Sequence, residues 1–381
     1  MKLAALPPIT RELFRVTGQT NSFGAAFLGL RFAETGGSCT VDHFDSSSIS
    51  VTVPWPAWLL RADGQLCLAG ALAIADETST FGMAAWDKQI RAGVSVSLSG
   101  QRCTSSSWSS SSSSSFSSPK PIEAGERITF ASRLIKGGAN LAWIHLEARR
   151  EQCGGELLAV GRHLKFQPSG QPPGWALASH PLVRPALYQA VELANRAGYS
   201  PMGERLSKDR PIPLPAAGTS RTEALSMVED FDNDDAAPSL EGLEESLLGP
   251  DAAAGRKAFT AHLTRQHGNP GGSLHGGCAS LILDAAASAS FCDAAATASN
   301  VSAFASGAAA AAAAPPAVQR MHVNLLGAVG VPKTSKSKKS TVAVRAAVSS
   351  TSELPTTTKG HAALYAPGSA AKKAVEAEMW W

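Results

Sequence analysis

The chain is poor in charge, in aromatic residues and in cysteine. Of its 381 residues 17% are charged, against roughly 25% in soluble chains. Lys and Arg outnumber Asp and Glu by 34 to 31, a net charge of +3. That is too small for a whole-protein field aimed at nucleic acid or a membrane surface, and no basic stripe with interleaved aromatics exists, so no nucleic-acid partner is expected. The six cysteines, Cys39, Cys67, Cys103, Cys153, Cys278 and Cys292, contain no CxxC pair. This excludes a disulfide scaffold and argues against a zinc knuckle; no metal or separate cofactor is expected. Isolated cysteines with apolar neighbours fit a reducing, intracellular compartment. Long runs of large apolar residues are missing too. The longest uncharged stretch, Ala294 to Gln319, is Ala/Ser-rich and runs into Pro315-Pro316, so no membrane span is expected. Met1 to Arg15 has no apolar core of a secretory signal, which leaves cytoplasm, mitochondrion and plastid open.

What is present is 44% apolar residues, enough for a sizeable core and incompatible with a wholly disordered chain. At ~150 residues per domain the length suggests two or three domains. Three segments read as insertions or linkers. Ser105 to Ser118 holds 12 serines in 14 residues, broken only by Trp108 and Phe116; it cannot bury enough apolar surface to offset its ordering entropy. An Ala-rich stretch lies near 300–317. Residues 168–250 are rich in Pro and Gly, and Glu229 to Glu245 carries eight carboxylates without a Lys or Arg. That run reads as a solvated acidic linker; the glycine a calcium loop requires is replaced by Asp235.

The linker separates two similar halves. Leu66 to Asp76 aligns with Leu274 to Asp284 at a constant offset of 208. Both segments are small, apolar on all sides and end in an aspartate, as a buried helix would. Alternating strands follow: Val94 to Leu98, Arg127 to Ile135, Ala142 to Arg149 and Leu157 to Phe166 in the first half, then Val318 to Leu326, Thr341 to Ser349 and Thr357 to Tyr365 in the second. Gly161-Arg162-His163 resembles Lys359-Gly360-His361. The second half reads as one strand short.

The His275-Gly276-Gly277 motif, the aspartate nine residues after that histidine, Asp76-Glu77-Thr78 and Gly93-Val94-Ser95, together with the strand tail, resemble the hotdog-fold acyl-CoA thioesterases of the 4-hydroxybenzoyl/phenylacetyl-CoA type, over about residues 50–166 and 256–366. The resemblance implies an α+β double hotdog, each unit a buried helix wrapped by an antiparallel sheet. The expected domains are 1–167, with a Ser-rich insertion at 104–118, and 251–368, joined by the linker. Two such chains are compatible with a homodimer of double hotdogs.

Thioester hydrolysis needs an activated water, a polarised carbonyl and a stabilised thiolate. Glycine lets a carbonyl oxygen approach the backbone closely, and the N–H groups of a helix N-terminus favour a developing oxyanion. The Gly276 N–H therefore polarises the carbonyl, with Gly277 beside it. Asp76, a carboxylate in an apolar helix, is costly unless it has partners or a task; burial raises its pKa towards a general base's range. The resemblance adds Ser95 to orient the water, Asn269 to hold the carbonyl or water, and His275 to face the leaving sulfur. The plainer alternative makes the glycine motif a helix cap and Asp76 a structural acid.

The halves complement each other. The first has Asp76 and Ser95 but reads Cys67-Leu68-Ala69 where the second has the glycine motif. The second has Asn269, His275 and Gly276 but no serine at the start of its strand, where Val318-Gln319 stand. One shared site is complete, and a second, with Asp284 facing Cys67, is expected to be degenerate. Coenzyme A belongs to the acyl-CoA substrate, and its phosphates call for cations; Arg133, Lys136, Arg162 and Lys165 in the strand tail are the candidates. A hydratase reading fits the motif poorly. A degenerate hotdog that binds acyl-CoA or scaffolds an assembly stays open.

Overall fold

A computed structural model describes residues 22–32, 37–87, 93–103, 120–151, 155–167, 214–229, 256–269, 272–306, 318–331, 340–350, 358–365 and 373–381, with scattered positions at 11, 14 and between 182 and 197. The first half comprises α1 (Phe23–Phe27), β1 (Thr40–Phe44), β2 (Ser48–Pro54), α2 (Leu68–Trp86), β3 (Val94–Arg102), β4 (Arg127–Gly137), β5 (Leu141–Arg150) and β6 (Leu157–Phe166). The second comprises α3 (Arg221–Ala224), β7 (Met227–Glu229), β8 (Arg256–Leu263), α4 (Gly276–Ser306), β9 (Arg320–Leu325), β10 (Ser340–Ser350), β11 (Thr358–Tyr365) and β12 (Lys373–Trp380).

All twelve strands form one sheet in the order β1-β2-β4-β5-β6-β3-β9-β12-β11-β10-β8-β7. Read outward from the β3–β9 seam, the two sides repeat: β6 answers to β12, β5 to β11, β4 to β10, β2 to β8 and β1 to β7. This is a double hotdog, with one helix laid on each half of a continuous antiparallel sheet. The seam pairs Ser97 with Asn324 through to Gln101 with Arg320.

The Ala/Leu-rich stretch Leu68 to Ala75 has high helix propensity and no polar face, so α2 forms and is buried on every side. Its only charged residues are the adjacent Asp76 and Glu77. Gly100 and Gly161 sit opposite each other on β3 and β6; a Cβ at Gly100 would lie 2.9 Å from Leu72, so these glycines seat the helix against the sheet. The helices also touch: a Cβ at Gly277 would lie 2.7 Å from the Ala73 Cα. Among the described residues no helix is long and apolar enough to cross a membrane.

The structure corrects several expectations. The second half is not a strand short, because β12 completes it beyond residue 368. The counterpart of β6 is β12, so the likeness of Gly161-Arg162-His163 to Lys359-Gly360-His361 joins strands that are not equivalent. Residues 214–229 do not lie in a free linker: β7 pairs with β8. Helix α4 runs on to Ser306, into the stretch expected to be an insertion. The Ser-rich 104–118 segment and the acidic run from Asp230 to Glu245 fall outside the described residues.

Candidate active site at the seam of the two halves

Asp76 lies in the third turn of α2, fully enclosed. Its two carboxylate oxygens face opposite halves of the molecule. Oδ1 accepts a hydrogen bond from the Ser95 hydroxyl at 2.9 Å. Oδ2 accepts one from the Gly277 N–H, in the first turn of α4, at 2.8 Å.

Ser95 reaches the carboxylate because of a backbone irregularity. Side chains alternate along a strand, so counting back from the inward-facing Leu98 would turn Ser95 outward. The register shifts between Ser95 and Ser97. This one-residue bulge at Val96 brings Ser95 to the inner face.

Three cationic or imidazole groups ring Asp76. His275 Nδ1 lies 3.3 Å from Oδ2; His163 Nε2 and Lys165 Nζ lie 3.3 and 3.7 Å from Oδ1. His163 also bonds Ser95 Oγ at 3.0 Å and, through Nδ1, Ser79 Oγ at 2.8 Å. One directed chain serves these contacts: Ser79 O–H, shared with the Asp76 carbonyl oxygen at 3.1 Å, donates to Nδ1, Nε2–H to Ser95, and Ser95 O–H to Asp76. It requires neutral His163, and burial, helped by the nearby Lys165 charge, pushes that histidine down to about 3. His275 is held on three sides. Its Nδ1 accepts from the Gly277 N–H at 3.2 Å, its Nε2 lies 3.4 Å from Glu77 Oε1, and its ring stacks on Phe23 at 4.9 Å.

Burial alone would raise the Asp76 carboxyl, as the sequence suggested. His275, His163, Lys165 and the Ser95 hydrogen bond outweigh it and hold Asp76 below the ordinary carboxylate range. Glu77 moves the other way: burial raises it, and the Asp76 charge adds to this against the pull of His275. Burial lowers Lys165, opposed by Asp76 and Glu77. Neighbouring carboxyls pushed in opposite directions are a signature of divided acid–base roles.

The structure brings Asp76, Ser95, His275, Gly276 and Gly277 together. A Cβ on Gly276 would lie 2.9 Å from Asp76 Oδ2 and 3.0 Å from Ser95 Cβ, so only glycine fits. The Gly276 N–H has no hydrogen-bond partner among the described residues, whereas the Gly277 N–H is taken by the carboxylate. Asn269 is not drawn in. Its side chain closes its own loop, donating to Ser273 Oγ at 2.8 Å and accepting from the Ser273 N–H at 3.2 Å.

The four cations assigned to phosphates divide between the two faces of the sheet. Arg133, Lys136 and Arg162, with Trp143, Ile135 and His145, line a cavity of about 560 Å³ on the outer face. Lys165, three residues from Arg162 on β6, therefore points inward, to Asp76. His163, Glu77, Ser79 and Phe23 were given no role from sequence. Two of them carried a signal: Asp76-Glu77 are the only charges in an apolar helix, and His163 and Lys165 alternate inward on one strand.

The opposite half-site is arranged differently. Asp284 on α4 is buried and ion-paired with Arg221 of α3, whose Nη1 also lies 3.7 Å from Cys67 Sγ and whose Nη2 donates to Ser288 Oγ at 3.2 Å. On β12 the inward residues Val375, Ala377 and Met379 are apolar, where β6 offers His163 and Lys165. Arg221 supplies the charge that this strand lacks. It stands on a single turn capped by Ser220, whose side chain accepts from the Glu223 N–H.

No protein-family model and no curated protein matches the sequence. Solved structures do resemble it. Thioesterase superfamily member 2 from zebra fish is 18% identical with a TM-score of 0.32, covering 43% of this chain and 100% of its own. The mouse protein of the same name is 19% identical with a TM-score of 0.30, covering 42% and 98%. The TesB protein of Mycobacterium avium subspecies paratuberculosis is 10% identical with a TM-score of 0.42, covering 89% and 94%. At these identities the likeness concerns the fold.

Proposed function

We propose that this chain hydrolyses acyl-CoA thioesters at one composite site on the seam of its two hotdog units, in the setting of fatty-acid metabolism. The observation that carries the reading is the meeting of the Asp76 carboxylate with the N-terminus of α4, at 2.8 Å from the Gly277 N–H, beside Ser95 and the open Gly276 N–H. The thioester carbonyl accepts from the Gly276 N–H. Asp76 takes a proton from water held by Ser95, and that water adds to the carbonyl carbon. The oxyanion grows against the positive end of α4, where one such donor is worth ~2.7–4 kcal/mol. Collapse breaks the carbon–sulfur bond, and the thiolate leaves on the side of His275. Arg133, Lys136 and Arg162 are suited to the phosphates of coenzyme A. Because they lie on the outer face, the pantetheine arm passes round the strand ends at Leu141, Phe166 and Val94.

A second reading, a catalytically degenerate protein that binds acyl-CoA or scaffolds an assembly, is favoured by the enclosure of Asp76, whose oxygens already have partners. Thiol release from a panel of acyl-CoAs of graded chain length separates the two. The first reading expects turnover that Asp76→Asn lowers ~10²–10⁴-fold. Binding without thiol release establishes the second.

A further inference from the structure

Within this reading of the site, we propose that Glu77 is a positioning residue that sets the tautomer of His275, so that Asp76, His275 and Glu77 share protons as one unit. His275 bridges two carboxyls from consecutive residues of one helix, with Nδ1 3.3 Å from Asp76 Oδ2 and Nε2 3.4 Å from Glu77 Oε1. Consecutive helical residues point about 100° apart and rarely meet one partner. Here they do so because the ring enters between them from the start of α4 and is pinned by Phe23 of α1.

Glu77 is itself held: it is buried, and the Gly24 N–H of α1 donates to its carboxyl. Its carboxyl meets the His275 ring and the Gly24 N–H, so its influence on the site passes through the imidazole. Two proton arrangements with a neutral ring are compatible with these distances. With Glu77 ionised, Nε2–H faces it, and Nδ1 accepts from the Gly277 N–H. With Glu77 protonated, its O–H donates to Nε2, and Nδ1–H donates to Asp76 Oδ2. The first arrangement leaves His275 able to relieve Asp76 of the proton taken from water; the second ties Asp76 down with a further hydrogen bond. The other groups facing this unit are His163 and Lys165 on β6: both lie against Asp76 Oδ1, and the Lys165 charge also bears on Glu77, which it lowers. Burial raises the Glu77 carboxyl while the groups around Asp76 lower that one, so Glu77 is the readier of the two to hold a proton.

The test uses the full chain and the variants Glu77→Gln and Glu77→Ala, with folding checked by circular dichroism. Nitrogen-15 NMR of the His275 ring reads which nitrogen bears the proton, from about pH 5 to pH 9. The expected result is a pH-dependent change of tautomer in the natural protein that is absent in Glu77→Gln, which keeps a polar group of the same shape beside Nε2 but does not titrate. If Glu77→Ala does not fold, Glu77→Gln decides alone. With an acyl-CoA substrate, kcat for Glu77→Gln should fall about ten- to a hundredfold with KM little changed, and the kcat–pH profile should lose a limb; removing the acid–base group itself costs more. Identical ring titrations in the natural protein and Glu77→Gln would overturn the proposal. Absence of thioester turnover in the natural protein overturns the proposed function and leaves the NMR result to judge Glu77 separately.

Discussion

Replacing Arg221 with Met probes whether the second half-site is held together by an imported charge. Asp284 is 2% exposed at its side chain and Arg221 18%. Met keeps much of the length and removes the charge, leaving a buried carboxylate without its cation. Breaking a buried pair from one side costs ~3–5 kcal/mol, because the surviving charge is left unpaired. At about 2–4 °C per kcal/mol for a unit of this size, the melting temperature should drop on the order of 10 °C. Asp284→Asn is the milder change, since the guanidinium at the rim turns to water and keeps its bond to Ser288; about 1–2 kcal/mol is expected. The double variant Arg221→Met/Asp284→Asn should recover most of the loss, because neutral groups replace a buried pair nearly without penalty. Urea denaturation of the four proteins closes the cycle, and the coupling should be at least ~2 kcal/mol. Thioester turnover, measured well below every transition, should stay within about twofold, since Asp284 and Arg221 lie outside the Asp76 site. A single Arg221→Met within ~0.5 kcal/mol of the natural protein, or strict additivity, would refute the reasoning. Loss of turnover in Asp284→Asn with stability intact would mean that the second half-site works.

Deleting Val96 removes the extra residue and joins Ser95 to the outward Ser97, so Ser95 should stay opposite Lys165 on the inner face, with its Asp76 contact and turnover retained while the strand straightens; a crystal structure of the deletion with Ser95 on the outer face would contradict this. Stability should fall as pH falls from about 6.5 towards 4. Burial lowers His163 to about 3 and His267 to about 4, so in that window the unfolded chain binds protons that the folded one refuses. The loss approaches ~1.4 kcal/mol per pH unit for each histidine. Stability is full above the unfolded value near 6.5, and an unfolding free energy that stays flat from pH 7 to 4.5 would exclude this account.

Much of this architecture is written into local pattern. Leu66 to Asp76 and Leu274 to Asp284 could only be buried helices, being apolar all round, and their constant offset implied a duplicated unit. The alternation of β4, β5 and β6 was plain within a residue or two. Asp76 and the glycine pair were legible because small residues and carboxylates in an apolar stretch stand out without knowledge of their neighbours, whereas Ser95 and His275 were named through the family resemblance. Contacts between segments distant in the chain were not legible. The strand β12 follows an interrupted stretch and carries no motif, and its equivalence to β6 emerges only from pairing across the sheet. Lys165 looked like a partner for phosphate until its inward side chain met a carboxylate 89 positions earlier in the sequence. Ser95 depends on a bulge, which leaves no mark on composition. Arg221 sits in a stretch that reads as linker, yet it reaches Asp284 because desolvation of a carboxylate selects whichever cation the fold can bring near. Period and propensity act over a few residues, so the sequence by itself determined the helices, most of the strands and the polar residues worth watching. Pairing of buried charges acts through space, and only the tertiary structure decided which cation serves which acid.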